Sequence, residues 1–253
     1  VNIRNLQPQL DANRRFWSGW DPTADADNDL PIYRSDVPHP LMNGVLRVRD
    51  RSLDAAIAEA KARLEGTTWS WWVGADSDPG TAEGLLERGA TPIDEMPIMA
   101  VDLEATADRR TPDGMHIVEV NDRFSVGEFT GAYAGPLGFT ESSMDKMVER
   151  ELDRGDGIRL AGILDGRIVG TTRLALESDV AGLYFVATDP AYRRRGVASA
   201  LTLEATRIAR RAGHRTMTLQ ASSEGEPVYR NVGFESVSRY RLFAFPGEAR
   251  DEQ

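Results

Sequence analysis

The stretch that most constrains this chain runs from Gly182 to Ala209, GLYFVATDPAYRRRGVASALTLEATRIA, because it reads as a strand, a sharp turn and a helix in that order. Leu183, Tyr184, Phe185 and Val186 form a short apolar run of the kind a buried strand needs, and Asp189-Pro190 ends it. Val197, Leu201, Leu203, Ala205 and Ile208 then recur near helical spacing, with Glu204, Arg207, Arg210 and Arg211 mostly between them. The helix is entered through Arg193-Arg194-Arg195-Gly196, so the first backbone amides after Gly196 lack intrahelical acceptors. Such an end attracts phosphate, Gly196 lets a ligand approach the backbone, and the guanidiniums add local positive charge.

That local charge stands out because the chain of 253 residues carries a formal net charge of −10. An acidic protein without a broad basic face is a poor nucleic-acid binder, so no nucleic-acid partner is expected. There is no Cys, which excludes disulfides, thiolate metal sites and thiol nucleophiles and makes the cytoplasm the default location. His39, His116 and His214 lie far apart without metal-ligand spacing, so no metal is expected. Neither a signal-like apolar start nor a membrane-spanning run is present, and the reading is a soluble protein with no membrane partner.

Arg193, Gly196 and Ala198 occupy the three specified places of [R/Q]-x-x-G-x-[G/A], preceded by Asp189-Pro190-Ala191-Tyr192. This segment resembles motif A of the GNAT (Gcn5-related) N-acetyltransferases. Farther on, Gly225-Glu226-Pro227-Val228-Tyr229-Arg230-Asn231-Val232-Gly233-Phe234 resembles motif B of that family, where a Tyr precedes a Gly-Phe pair. The resemblance covers about residues 115 to 245. It implies an α/β (α+β) fold in which a mixed, mostly antiparallel sheet is flanked by helices, and acetyl-CoA as co-substrate.

The elements around these motifs fit that plan. Met115 to Val120 reads as a strand, Arg123 to Tyr133 as a helix, Gly135-Pro136 as a turn and Ser142 to Asp153 as a second helix. Ile158 to Leu164 and Arg167 to Leu176 flank Asp165-Gly166, a strong hairpin signal. Arg215 to Gln220 and Tyr240 to Phe245 read as the closing strands.

Before them, Leu10 to Trp20 reads as a short helix, and the acidic run from Asp21 to Asp29 as a solvated loop. Gly44 to Arg49 alternates as a half-buried strand, Ser52 caps a helix stopped by Gly66, and Trp69 to Val73 makes an aromatic strand. Gly80 to Arg88 reads as a helix closed by Gly89, and Met96 to Leu103 as another strand. Trp71 to Gly74 thus stands where Tyr184 to Ala187 stands later, but the following loop has Asp76 and Asp78 and no Arg, so it should repel a pyrophosphate. Residues 1–105 are read as a degenerate, non-binding GNAT-like domain, 106–114 as a polar linker and 115–253 as the catalytic GNAT domain.

Residue by residue, the resemblance places acetyl-CoA on Arg193, Arg194, Arg195, Gly196, Val197, Ala198 and Ser199, with its pantetheine arm along Val186, Ala187 and Thr188. Ser222 and Asn231 contact the coenzyme or order their loop. Tyr229 is carried over as the general acid for the departing thiolate, since a phenol with pKa about 10 can protonate it. Glu128 and Glu119 are candidate bases, with ordered water as the alternative, and neither is chosen. Phe139 and Met147 line an acceptor site or the core.

The expected activity is transfer of an acetyl group to a primary amine, most simply of a cationic small molecule, by direct attack in a ternary complex. The alternative is a non-catalytic acyl-CoA-binding or regulatory module. A homodimer is compatible with the sequence, which does not define the oligomeric state.

Overall fold

The computed structural model describes residues 2–106 and 110–246, so residues 107–109 of the segment read as a linker lie outside the described residues. In chain order come α1 (Leu6–Ser18), β1 (Ile32–Arg34), β2 (Asn43–Val45), α2 (Leu53–Arg63), β3 (Ser70–Val73), α3 (Thr81–Glu87) and β4 (Thr91–Asp102). There follow β5 (His116–Glu119), α4 (Arg123–Leu137), α5 (Met144–Asp153), β6 (Ile158–Leu164), β7 (Arg167–Ala175) and β8 (Ala181–Thr188). The chain continues with α6 (Val197–Arg211), β9 (Thr216–Gln220), α7 (Glu226–Arg230) and β10 (Glu235–Ala244).

These elements form two compact units, Val1–Ala12 with Ile98–Val237 and Asn13–Pro97 with Ser238–Gln253, so the boundaries fall inside α1, β4 and β10. The units differ from the division at residues 105 and 115. Ile98–Asp102 pairs antiparallel with β9, and Arg241–Phe243 pairs antiparallel with β3, each joining the unit whose backbone it bonds. Strand pairing partners thus change inside β4 and β10.

The first unit's strands lie in the order β4-β9-β8-β7-β6-β5, antiparallel except for the parallel β8–β9 pair. The second unit pairs β1 with β2 and β3 with β10 antiparallel, and β2 with β3 parallel. Each is a mixed, mostly antiparallel sheet flanked by helices.

Asp165 (φ 54°) and Gly166 (φ 75°) make the hairpin turn between β6 and β7, as the sequence indicates. Helix α6 packs its Val197, Leu201 and Ala205 onto Leu160, Val169, Leu183 and Leu219 of the sheet. Glycine makes this approach close. A Cβ on Gly170 would lie 2.4 Å from Val197 Cγ1, and one on Gly162 would lie 2.4 Å from Met115 Cε and 3.6 Å from Leu201 Cδ1.

Some elements depart from their sequence reading. Helix α4 runs through Gly135 and Pro136 to Leu137, because the left-handed stop is Gly138 (φ 82°), whose N–H donates to Ala134 O and Gly135 O. Phe139 N–H also bonds Ala134 O, and the Phe139 ring packs on Tyr133. Pro136 sits in the last turn, where its missing donor removes a single helical bond. Ser52 precedes α2 without a side-chain cap. Residues 44–49 are not a half-buried strand: β2 ends at Val45, and the segment through Val48 is buried. Arg47 is buried there and donates to Asp27 O and Asn28 O, so the acidic loop is fastened by its carbonyls while Asp25 and Asp27 stay exposed.

The loop before α3 also ends in a left-handed glycine at the helix N-cap, Gly80 (φ 81°, ψ 1°), as Gly196 (φ 85°, ψ 7°) does for α6. Asp76 in that loop is buried against Arg14, and burial raises its carboxyl pKa while the Arg14 charge opposes the rise.

Candidate active site

The site begins where two strands part. β8 and β9 pair from Ala181↔Met217 to Leu183↔Leu219, after which β8 runs on to Thr188 without a partner on that side. Opposite Thr172, β7 meets an extra residue of β8, a bulge at which Phe185 takes φ 49°. A non-glycine residue in that region is strained, and packing has to hold it. The Phe185 ring stacks on Tyr133 with centroids 4.9 Å apart and planes within 3°, while Thr171 Oγ1 donates to Phe185 O at 3.0 Å. Tyr133 is in turn anchored, its hydroxyl donating to Glu151 Oε1 at 3.1 Å. Glu151 is itself fully buried and ion-paired with Arg159 and Arg173.

Beyond β8 the chain turns through Asp189, whose carboxylate accepts from Ala191 N–H at 2.9 Å. Arg194 (φ 62°) and Gly196 (φ 85°) are both left-handed, a backbone shape that turns successive amides toward one concavity. The first helical bond of α6 runs from Ala200 N–H to Gly196 O at 2.9 Å. The amides of Val197, Ala198 and Ser199 therefore open the helix without acceptors inside it. A Cβ on Gly196 would meet nothing nearer than Pro112 Cγ at 3.7 Å, so backbone conformation is what requires glycine here.

A cleft of about 370 Å³ lies between these parts. Val186, Ala187 and Thr188 line it from β8, and Arg193, Arg194, Gly196, Val197, Ala198 and Ser199 from the turn and α6. Ser222, Tyr229 and Asn231 line it from the segment after β9. Arg195 is not in the lining. Its guanidinium stands 4.9 Å over the Tyr192 ring. Five further lining residues were not expected as site residues: Pro136, read as part of a turn, Leu137, Glu224, and Gly225 and Val228 of the motif B run. Glu224 forms an ion pair with Arg193 at 3.4 Å.

Tyr229 is 7 % exposed, and burial pushes its phenol pKa up, so it holds its proton at neutral pH. Its ring is closely seated: a Cβ on Gly225 would come within 3.1 Å of Tyr229 Cε2. Gln220, one residue past the last β8–β9 pair, has a buried Nε2 without a hydrogen-bond partner, a feature no sequence pattern signals.

The other candidates sit apart from the cleft. Phe139 and Met147 are buried and absent from its lining, while Glu119 and Glu128 are exposed. Among the described residues no His, Asp and Glu side chains gather into a metal-binding group, and no helix is long and apolar enough to cross a membrane.

Comparison with known proteins bears on this geometry. Residues 129–234, which contain the bulge, the arginine turn, α6 and Tyr229, match the family model described as the acetyltransferase (GNAT) family. This segment is a GNAT domain. The family's chemistry is acyl transfer.

Solved structures agree on the fold. A GCN5-related N-acetyltransferase from Kribbella flavida superposes with a TM-score of 0.70 at 18 % identity, covering 95 % of this chain and 96 % of that one. A tandem GNAT protein from the clavulanic acid biosynthesis pathway gives 0.60 at 17 %, covering 87 % and 79 %. A GCN5-related N-acetyltransferase from Sphaerobacter thermophilus gives 0.56 at 20 %, covering 76 % and 65 %. Comparison with curated protein sequences finds no match.

Proposed function

We propose that the GNAT domain is an acetyl-CoA-dependent N-acetyltransferase acting on a primary amine of a small molecule, by direct attack within a ternary complex. The observation that carries this is the coincidence, in one cleft, of unpartnered helix-opening amides, an unpaired strand edge and a buried phenol.

The residues fit the coenzyme's chemistry. Val197, Ala198 and Ser199 would donate their amides to a diphosphate, with Arg193 and Arg194 supplying charge and Gly196 the close approach. Val186, Ala187 and Thr188 would bond an extended amide-bearing arm as an added strand. Ser222 and Asn231 close the far wall. Acetyl-CoA, when bound, supplies the acetyl group as a thioester. Tyr229 Oη, protonated at neutral pH, would hold a proton for a leaving thiolate. Backbone amides at the bulge near Val186 are suited to polarise a carbonyl. Glu119 and Glu128 are exposed and outside the lining, and Glu224, which does line the cleft, is paired with Arg193, so loss of the amine proton through ordered water is the route this reading takes.

Residues 1–105 belong to this reading as a degenerate GNAT-like half. The support is the repeated strand, left-handed glycine and helix at Val73, Gly80 and α3, in which Asp76 and Asp78 replace the arginines. A cysteine-free chain suits a cytoplasmic setting for this chemistry.

The test is acetyl-CoA consumption over a panel of cationic small amines. Turnover that Tyr229→Phe abolishes supports the assignment; coenzyme binding with no turnover on any amine would leave the regulatory module in its place.

A further inference from the structure

The second compact unit holds a cavity that acyl transfer leaves unused. It measures about 450 Å³, within the range of small-molecule sites. Trp69, Leu242 and Phe245 are buried in its walls, and the Trp69 and Phe245 rings stand 5.8 Å apart. Ile93, 45 % exposed, forms part of the rim, so apolar surface continues to the mouth.

The polar lining is sparse: His39, Thr68 and Asp94. His39 Nδ1 accepts from Leu41 N–H at 3.2 Å. Asp94 is exposed, spends Oδ1 on Glu95 N–H at 2.7 Å, and takes part in no ion pair among the described residues. Lys61, whose ammonium stands 4.4 Å over the Phe245 ring, is not in the lining. Asp94 is the one carboxylate of the lining, which contains no Lys or Arg.

From this combination we infer that the cavity binds a small organic cation, an apolar or aromatic body ending in an ammonium. The body displaces water from Trp69 and Phe245, and the ammonium pairs with Asp94. An anion is repelled by Asp94. A neutral molecule fills the same walls but gives the carboxylate no partner. This inference stands independently of the coenzyme cleft.

Tryptophan fluorescence offers a direct test, because all five tryptophans lie between Asn13 and Pro97, within the second unit, and Trp69 is in the cavity wall. The full chain is titrated with 2-phenylethylamine and with its neutral counterpart 2-phenylethanol. The amine should give a saturable change with Kd of about 1 mM or tighter, and the alcohol should bind about fivefold more weakly. Asp94→Asn should bring the amine to the alcohol's affinity, and Ile93→Lys, which sets a like charge at the rim, should weaken the amine more than the alcohol. Both positions are exposed, and thermal melts check that the variants fold. The inference is overturned by the absence of a saturable change, by equal affinities for amine and alcohol, or by unaltered amine binding in both variants.

Discussion

Gly170 on β7 is where the close seating of α6 can be tested by adding one methyl group. A Cβ there would lie 2.4 Å from Val197 Cγ1, 3.0 Å from Leu201 Cδ1 and 3.2 Å from Ala187 O. Carbon atoms pack best at about 3.5–4.0 Å, so the first turn of α6 must withdraw by roughly 1 Å or Val197 must leave its rotamer. Overpacking of this kind costs about 1–3 kcal/mol of stability. Val197 also carries one of the amides that open α6, so the displacement should reach the coenzyme. We expect Gly170→Ala to lower the urea midpoint and raise the Kd for coenzyme A about tenfold or more, the scale of losing one charge-assisted hydrogen bond. Adding Val197→Ala removes the clashing methyls and should recover most of the coenzyme affinity, though the double variant retains a packing loss of about 1–2 kcal/mol. Wild-type coenzyme binding in Gly170→Ala, or a double variant no tighter than the single, would refute the claim that this contact sets the position of the helix opening.

Tyr229→Phe keeps the ring and removes the proton, so kcat should fall about 10²-fold or more while coenzyme Kd changes less than about twofold, measured by steady-state rates and calorimetry. Equal losses in both would mark the residue as structural. Glu151→Ala would leave buried Arg159 without its carboxylate and Arg173 with Asp156 alone, and should cost about 3–5 kcal/mol in urea unfolding; a loss under about 1 kcal/mol would contradict the buried network. Burial raises the phenol pKa of Tyr33, Tyr133, Tyr184 and Tyr229 in the folded chain. Unfolded phenols ionise near pH 10, so these groups leave stability flat below that pH and lower it above, each by up to about 1.4 kcal/mol per pH unit. Urea midpoints measured from pH 8 to 11 should hold and then fall, and a flat profile to pH 11 would contradict the burial of all four.

Much of the GNAT domain was legible because its signals are local. Asp165-Gly166 needs left-handed residues, the apolar stripe of α6 has helical period, and the arginine turn with Gly196 has a backbone reason to sit between strand and helix. What the sequence hid depends on long-range contact. Nothing near Phe185 announces its positive φ, which exists because Tyr133 and Thr171 hold it. Pro136 suggested a turn since a proline usually ends a helix, yet Gly138 and Phe139 supply a better stop two residues on. Arg195 looks equivalent to its neighbours in sequence, yet its guanidinium stands over Tyr192. The division into compact units falls inside β4 and β10, and composition cannot say that pairing changes along a strand.

The central claim is that the opening of α6 holds a coenzyme's diphosphate, and calorimetric titration of the intact chain with coenzyme A measures it most directly. The account predicts one coenzyme bound per chain, with binding abolished in Gly196→Glu, which places a carboxylate and a strained backbone at the amides, and with Arg195→Ala close to wild type. No detectable coenzyme uptake, or uptake that Gly196→Glu leaves unchanged, would contradict it.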